Sequence, residues 1–232
     1  MEYLPNGIQL EIPPDAFPLS TDSMVLAEFV RLPKNAKVLD IGSGCATLGL
    51  LLCAADGHCR VTGIELQRPA HEAALENIRR NGLEDRLCSI CADAKTVRAL
   101  IAPGSFDVCI SNPPYYSGGP ASSLHANARR DDTLDAQALM ECAAWALKTG
   151  GDFFLVHKPE KLAHLIALGA QCHLEAKVLR LIKHRQSGCV NLILLRFRKG
   201  AKPGLILEEA ALHLADGTPS PYYRKIYHNE ES

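Results

Sequence analysis

From residue 37 onward, short apolar runs alternate with longer segments of helical period, and this alternation limits the fold more than any other feature of the chain. Five of the apolar runs are rich in Val, Ile, Leu, Phe or Cys, as strands covered on both faces are. They are Lys37 to Ile41, Arg60 to Glu65, Leu87 to Ala92, Phe106 to Ser111 and Asp152 to His157. The pattern predicts a parallel sheet with helices on both faces.

The intervening segments carry helix start and stop signals. Pro69 to Asn81 opens with proline at its first position and is followed by Gly82, a typical residue after a helix end. Thr47 to Ala55 and Asp135 to Leu147 are the other clear helices, and a further one begins near Pro159. These positions agree with one crossover helix between successive parallel strands.

Two further apolar runs, Glu175 to Ile182 and Cys189 to Phe197, are joined by Lys183 to Gly188, which is too short for a helix. Such a short connection predicts an antiparallel hairpin. Five parallel strands followed by a C-terminal antiparallel hairpin predict a doubly wound, seven-stranded, Rossmann-like α/β sheet.

The chain has 232 residues, of which 47% are hydrophobic, and no repeat or linker divides it. We therefore predict a single domain. Residues 1–36 contain five prolines around a helical piece at Asp22 to Arg31, so they cannot supply a central strand. We interpret residues 1–36 as a lid or flank and residues 37–232 as the catalytic domain.

Composition narrows the class of protein. The chain has 25 Lys and Arg residues and 26 Asp and Glu residues, and such a balance of charges is typical of a folded domain. The longest apolar stretches, such as Leu48 to Ala55, are far shorter than the ~20 residues of a membrane-spanning helix. Met1 and Glu2 do not begin a signal peptide, so we expect a cytoplasmic protein without a membrane partner. Nine scattered cysteines predict reduced, buried thiols. Because Cys88 and Cys91 lack a second pair of ligands, no metal site is predicted.

A glycine-containing turn follows the first strand, in the order Asp40-Ile41-Gly42-Ser43-Gly44. Glycine at this position lets a ligand approach the backbone closely. A dinucleotide-binding fingerprint would need glycine where Thr47 stands, and no phosphate-binding Gly-Lys-Ser/Thr is present. The turn favours a ligand without a pyrophosphate, and a merely tight strand-to-helix turn remains the alternative.

Acidic residues also end the next two strands. Glu65 closes the second strand, where a carboxylate can accept hydrogen bonds from both hydroxyls of a ribose. Asp93 follows the third strand, where it can accept from an exocyclic adenine amine. Each acid alone is more often a helix cap, but together with Asp40 they predict one crevice at the carboxyl edge of the sheet.

The fourth strand leads directly into Asn112-Pro113-Pro114-Tyr115. Two prolines restrict the backbone, so the Asn112 amide oxygen and the Pro113 carbonyl can be held as paired acceptors for an amino group. Tyr115 offers an aromatic face to a planar ring. An ordinary proline-containing loop is the alternative interpretation.

From about Lys37 to Phe197 the sequence resembles the S-adenosylmethionine-dependent amino-methyltransferases. The resemblance rests on three motifs that occur in the same order: Asp-x-Gly-x-Gly, an acid after the second strand, and Asn-Pro-Pro-Tyr. The resemblance implies the methyltransferase variant of the sheet and S-adenosyl-L-methionine as cofactor. By resemblance the target amine is held by Asn112, Pro113, Pro114 and Tyr115. The cofactor site then comprises Thr21, Asp40, Gly42, Ser43, Gly44, Glu65, Leu66, Asp93, Ala94 and Asn112.

Asn-Pro-Pro-Tyr occurs both in enzymes that methylate adenine N6 and in those that methylate a glutamine of peptide-chain release factors. The release-factor enzymes usually carry an N-terminal helical domain. This chain has only ~35 residues before its first predicted strand, which are too few for such a domain. Outside the core the chain resembles the bacterial tRNA adenine-N6 methyltransferases, which act 3′ of the anticodon in a valine tRNA. The segments concerned are Leu19 to Ala27, Ala128 to Asp131, His157 to Leu162 and the tail Leu214 to Gly217 with Tyr222 to Tyr227. We expect methylation of adenine N6 in tRNA; a release-factor methyltransferase and a non-catalytic RNA-associated scaffold are the alternatives.

From Ala176 to Leu207 the chain has eight Lys and Arg residues and no Asp or Glu. Such a segment predicts a phosphate-binding surface, with a solvated basic face as the alternative. We expect Lys183 and Arg185 of the hairpin, together with Arg129 and Arg130 after the Asn-Pro-Pro-Tyr loop, to contact RNA.

Overall fold

The computed structural model describes residues 2–4, 7–13, 19–114 and 135–228. The helices are α1 (Thr21–Phe29), α2 (Thr47–Ala55), α3 (Arg68–Arg80), α4 (Val97–Leu100), α5 (Ala136–Ala146), α6 (Leu162–Gln171) and α7 (Pro221–His228). The strands are β1 (Glu2–Tyr3), β2 (Gln9–Leu10), β3 (Lys37–Ile41), β4 (Arg60–Glu65), β5 (Leu87–Cys91), β6 (Phe106–Ser111), β7 (Leu147–His157), β8 (Leu174–Arg185), β9 (Val190–Lys199) and β10 (Ile206–His213).

Strands β3 to β10 form one sheet in the order β10-β8-β9-β7-β6-β3-β4-β5. Strands β7, β6, β3, β4 and β5 are parallel, and β9 is antiparallel to both β7 and β8. The predicted doubly wound α/β sheet and its terminal hairpin are therefore confirmed. Strand β1 pairs with β2 in a separate two-stranded ribbon.

An eighth strand, β10, extends the predicted seven-stranded sheet by pairing in parallel with β8. Its sequence, Ile-Leu-Glu-Glu-Ala-Ala-Leu-His, has one β-branched residue and no Phe, Tyr or Trp, the residues that mark strands, which is why sequence patterning missed it. Glu208 binds Arg180 at 2.7 Å and Glu209 binds Lys183 at 2.7 Å. The strand thus supplies acidic partners for a hairpin that, taken alone, is strongly basic.

Side chains of the central strands alternate between two cores, one on each face of the sheet. Val38 and Phe154 face the side that α1, α2 and α3 cover. Their chain neighbours Leu39 and Phe153 face the side that α4, α5 and α6 cover. Phe154 meets the edge of Phe29 from α1 at a centroid distance of 5.6 Å. Both faces are therefore buried, as the continuous apolar strands predict.

Residues 7–13 and 19–36, within the segment interpreted as a flank, contact the domain closely. Asn77 of α3 is fully buried; its amide nitrogen donates to the carbonyls of Glu11 and Cys45, and its oxygen accepts from Glu11 N–H. Asn81 makes the same reciprocal pair with the backbone of Gln9. Helix α1 buries Val25 in the core shared with the sheet. The domain boundary at residue 36 stays a prediction.

All nine cysteines are free thiols. Cys88 and Cys91 are exposed because β5 is an edge strand of the sheet, and Cys189 is exposed as well. The expectation of burial is wrong for these three cysteines. Across the described ranges no group of His, Cys, Asp or Glu side chains is arranged to hold a metal ion. No helix in those ranges is long and apolar enough to cross a membrane.

Replacing Asn77 by Ala removes three hydrogen bonds from a buried side chain to the backbone and should lower the free energy of unfolding by about 2–3 kcal/mol. Urea unfolding measures this change, and limited proteolysis should show faster cleavage before residue 20. Glu72→Ala, on the exposed face of the same helix, is the matched control and should change stability by less than about 0.5 kcal/mol. Equal effects of the two substitutions would show that Asn77 does not hold residues 7–13 in place.

Candidate active site

Parallel pairing places the polar strand ends side by side. Asp40 of β3 lies opposite Gly63 of β4 on one side and Ile110 of β6 on the other. Glu65 at the end of β4 and Asn112 directly after β6 consequently flank the turn that leaves β3. The carboxyl edge of the sheet is where doubly wound folds bind ligands.

The turn after β3 folds back over β4 through its own backbone. The N–H groups of Gly42 and Ser43 donate to the Ile64 carbonyl at 2.9 and 3.0 Å. Gly42 and Gly44 have φ angles of +75° and +55°, in a region that residues other than glycine rarely adopt. A Cβ at either glycine would meet nothing within 4 Å. The glycines therefore provide the turn geometry and leave open space above the loop.

Glu65 holds this glycine turn in place. Its Oε2 accepts from Gly44 N–H at 2.8 Å and its Oε1 accepts from Gln67 N–H at 2.7 Å. The residue is only 8% exposed. Each carboxylate oxygen has a second lone pair, so Glu65 can keep both backbone bonds while it accepts from a ribose. Sequence reasoning anticipated a ribose ligand but missed this clamp.

Asp40 is buried beneath the turn, and neither of its carboxylate oxygens has a hydrogen-bond partner among the described residues. Burial, and secondarily the charge of Glu65, raises the pKa of Asp40 to about 8. The nearby Ser43 hydroxyl is also buried and has no hydrogen-bond partner in the part of the chain that the structure describes. A buried carboxyl group and hydroxyl without partners are costly unless a ligand supplies donors. The ammonium and carboxylate groups of the methionine part of S-adenosylmethionine provide such hydrogen-bonding chemistry, so these residues fit that cofactor.

Asp93 lies at the end of β5 and is half-buried. Its Oδ1 accepts from Lys95 N–H at 2.8 Å and caps the 3-10 turn Ala94–Thr96. Asp93 is thus a helix cap, as the alternative interpretation expects. Its second carboxylate oxygen, Oδ2, can still accept from an adenine amine. Leu66, directly after Glu65, is 40% exposed, whereas Ala94 is buried. These residues stay predicted cofactor contacts.

Asn112 is anchored by α1. Its Nδ2 donates to Ser23 Oγ at 3.0 Å across 89 residues of sequence, and Ser111 Oγ donates to the Ile41 carbonyl at 2.7 Å. The first bond commits the amide nitrogen and orients the amide plane. Pro113 and Pro114 follow and are half-buried. Tyr115, Arg129 and Arg130 lie outside the described residues.

The remaining predicted residues also lie along this edge of the sheet. Thr21 Oγ1 is 3.0 Å from the hydroxyl of Tyr227 in α7. Lys183 is already paired with Glu209, whereas Arg185, at the end of β8, is exposed and has no ion pair in the described part of the chain. Sequence reasoning assigned no role to Ser23 or Tyr227. The available signal was a serine on the otherwise apolar buried side of α1.

A doubly wound sheet with a glycine turn, acids at successive strand ends and a terminal hairpin defines the class of S-adenosylmethionine-dependent methyltransferases. Solved structures share this fold. A predicted O-methyltransferase from Agrobacterium tumefaciens has a TM-score of 0.75 at 20% identity, covering 89% of this chain and 95% of that one. A methyltransferase from Pyrococcus furiosus has a TM-score of 0.62 at 23% identity, covering 83% and 90%.

Sequence comparison is more specific. The family model described as Methyltransferase small domain matches residues 19–171. The protein from Dickeya chrysanthemi named tRNA1(Val) (adenine(37)-N6)-methyltransferase is 31% identical over 81% of this chain and 75% of its own length. The Tolumonas auensis protein of the same name is 30% identical over 90% and 87%. The chain belongs to the methyltransferase small domain family, and its cofactor is S-adenosyl-L-methionine.

Asp40→Asn should remove a pH dependence from the stability of the cofactor-free protein. Because the pKa of Asp40 is raised from 3.8 to about 8, the folded protein keeps a proton there that the unfolded chain has released. Stability attributable to this group therefore falls as pH rises between these two values, at up to about 1.4 kcal/mol per pH unit, and is constant above the folded pKa. The variant lacks this fall and should be the more stable protein at about pH 8.

Chemical denaturation at several pH values measures this slope, and calorimetric titration with S-adenosylmethionine should show weaker binding by the variant. Asp85→Asn, which removes an exposed carboxylate, is the control. Identical slopes for wild type and Asp40→Asn would mean that Asp40 is ionised in the folded protein.

Proposed function

We propose that this protein transfers the methyl group of S-adenosylmethionine to the N6 amine of an adenine in tRNA, next to the anticodon, in the cytoplasm. The observation that carries the proposal is the position of Asn112, anchored by Ser23 beside the glycine turn of the cofactor site. Relatives at about 30% identity over most of the chain are named for this reaction. The Asn-Pro-Pro-Tyr sequence supplies the acceptors that an amino group needs.

Asp40, the glycine turn, Glu65 and Asp93 would hold the cofactor, as their positions along the edge of the sheet support. When bound, S-adenosylmethionine supplies an electrophilic methyl group on a sulfonium sulfur. In the transfer a carbon–sulfur bond breaks as a carbon–nitrogen bond forms, and the sulfur keeps the electron pair as a neutral thioether. The residues of this chain need only bind and orient the two reactants.

An aromatic amine is a poor nucleophile because the ring shares its lone pair. The Asn112 amide oxygen and the Pro113 carbonyl can accept from both N–H bonds, which favours a pyramidal nitrogen and disperses the developing positive charge. Ser23 occupies the Asn112 amide nitrogen and so directs the amide oxygen to this task. No strong base is needed, since the methylated cation readily releases its proton from N6 to an acceptor or to water.

The target base must leave the anticodon-loop stack to reach this edge of the sheet. That cost is a few kcal/mol and is smallest for an unpaired loop nucleotide. We expect Tyr115 to stack on the extruded adenine, in keeping with its position in the Asn-Pro-Pro-Tyr sequence. Arg129 and Arg130 remain predicted RNA contacts.

The test supplies the purified protein and methyl-labelled S-adenosylmethionine with, separately, unmodified tRNA, ribosomal RNA and a release factor. Label recovered as N6-methyladenosine from tRNA is the expected result. Label in release-factor glutamine would refute the proposed substrate, and cofactor binding with no methylation would favour a scaffold.

Asn112→Ala should lower kcat in this assay at least about a hundredfold because it removes an acceptor used in the transition state. Its affinity for S-adenosylmethionine should remain close to that of the wild type. Ser23→Ala, which removes the acceptor that orients the Asn112 amide nitrogen, should lower kcat about tenfold. Ser105→Ala at the opposite edge of the sheet serves as the control. A fully active Asn112→Ala enzyme would overturn the role of this residue.

The hairpin charges allow a separate test of tRNA binding. Because Lys183 is paired with Glu209 and Arg185 is not, Arg185→Gln should reduce the slope of log Kd against log salt concentration by about 0.7, the value for one single-strand phosphate contact. Lys183→Gln should change the slope much less, and Lys34→Gln, at the opposite edge, is the control. Equal slopes for all four proteins would remove the hairpin from the RNA-binding surface.

A further inference from the structure

Four rings form a row along the carboxyl edge of the sheet: His184 of β8, His213 of β10, and Tyr223 and Tyr227 of α7. We propose that this ring row is a stacking surface for an unpaired nucleotide of the RNA that carries the target adenine. The proposal rests on the proposed function and adds a second binding surface to it. Base stacking on aromatic and imidazole rings is a common way to bind single-stranded RNA.

The rings are close enough to form a continuous surface. Centroid distances are 4.8 Å from His184 to His213, 5.2 Å from His213 to Tyr223 and 4.5 Å from Tyr223 to Tyr227. The two tyrosines are stacked with an interplanar angle of 30°, and the histidine contacts are tilted. His184 is exposed, whereas the other three are half-buried. The row therefore presents one free end to solvent, at the tip of the β8–β9 hairpin.

The other end of the row leads to the candidate active site. The Tyr227 hydroxyl is 3.0 Å from Thr21 Oγ1, at the first residue of α1. Two residues further along α1, Ser23 accepts from Asn112. The ring row and the proposed amine-binding group are thus connected through one turn of helix. A nucleotide stacked on the row and a base held at Asn112 would therefore lie along the same edge of the sheet and can belong to one RNA loop.

Hydrogen bonds hold the exposed end of the row in place before any ligand binds. Gln186 N–H donates to the His213 carbonyl at 2.9 Å, and His213 Nδ1 donates to the His184 carbonyl at 3.2 Å. The Asn191 side chain accepts from His184 N–H at 2.8 Å. A surface that is already ordered loses little conformational entropy when it binds.

The charges beside the row suit a nucleotide backbone. Arg185 and Arg224 are exposed and form no ion pair within the described ranges, whereas Lys225 binds Glu28 at 3.0 Å. Asp216, in the turn before α7, accepts hydrogen bonds from Thr218. Asp216, and Asp22 near Tyr227, are acidic and form no ion pair within the described ranges, so the cationic character is local. Arg185, next to His184 in the chain, places a cation at the exposed end of the row, where a phosphate can bind.

The row also lies outside the region that the family model matches, residues 19–171. Three of its rings come from β10 and α7, which follow the hairpin that completes the expected fold. Elements added beyond the shared catalytic region are suited to selecting a substrate. The position of the row supports RNA recognition in place of cofactor binding.

The test measures binding and methylation of a stem-loop RNA with the sequence of a valine-tRNA anticodon arm. His184→Ala should weaken RNA binding and raise KM about tenfold, the scale of one lost stacking contact, with kcat and cofactor affinity unchanged. Because stacking is not ionic, the salt slope should remain that of the wild type. His184→Phe keeps a ring and should restore binding, and exposed His164→Ala on α6 is the matched control.

An abasic nucleotide placed in turn at each loop position identifies the stacked base. At that position the abasic RNA should bind the wild type about tenfold more weakly and should cause no further loss with His184→Ala. Methylation of the RNA with equal KM for wild type and His184→Ala would overturn the ring row and leave the proposed function intact. Methylation of release factor and not of RNA would overturn both.

Discussion

The parallel pairing of β3 with β4 on one side and β6 on the other determines where the central site residues lie. Each of these strands is buried and ends at the same edge, so a polar residue at a strand end has few positions available. The Glu65 carboxylate then joins two of these ends by accepting from the Gly44 backbone. Because the sheet supplies the spacing, the turn after β3 needs glycine only for its backbone angles.

Much of this arrangement follows from local sequence. Continuous apolar strands predict burial on both faces, and side chains that follow parallel strands must meet at one edge, so Asp40, Glu65 and Asn112 can be placed together without a structure. The bond from Asn112 to Ser23 cannot be predicted in this way, because it joins residues 89 positions apart through the packing of α1. Strand β10 escaped prediction because its Glu and Ala residues reflect an edge position and pairing with β8, not strand propensity.

The basic hairpin shows how charge patterns mislead when partners are distant in sequence. Arg180 binds Glu208 at 2.7 Å and Glu28 at 2.6 Å, and Arg198 binds Asp152 through two bonds of 2.8 Å. Burial alone would raise the pKa of Glu28, but the hydrogen bond from Lys225 and the charge of Arg180 outweigh it and lower the pKa. Much of the apparent positive charge therefore stabilises the fold, whereas Arg185 is exposed and has no ion pair within the described residues.

Glu28 of α1 binds Arg180 of β8 and Lys225 of α7, and Thr21 at the start of the same helix meets Tyr227 across 206 residues. This closure has a consequence for synthesis on the ribosome. Strands β3 to β6 and the glycine turn can form while the chain is still growing. The helix that positions Asn112 gains these contacts only when nearly the whole chain has emerged. We therefore expect the cofactor half of the crevice to be ordered before the amine-binding half, so that a nascent chain can fold its sheet well before it can select a substrate.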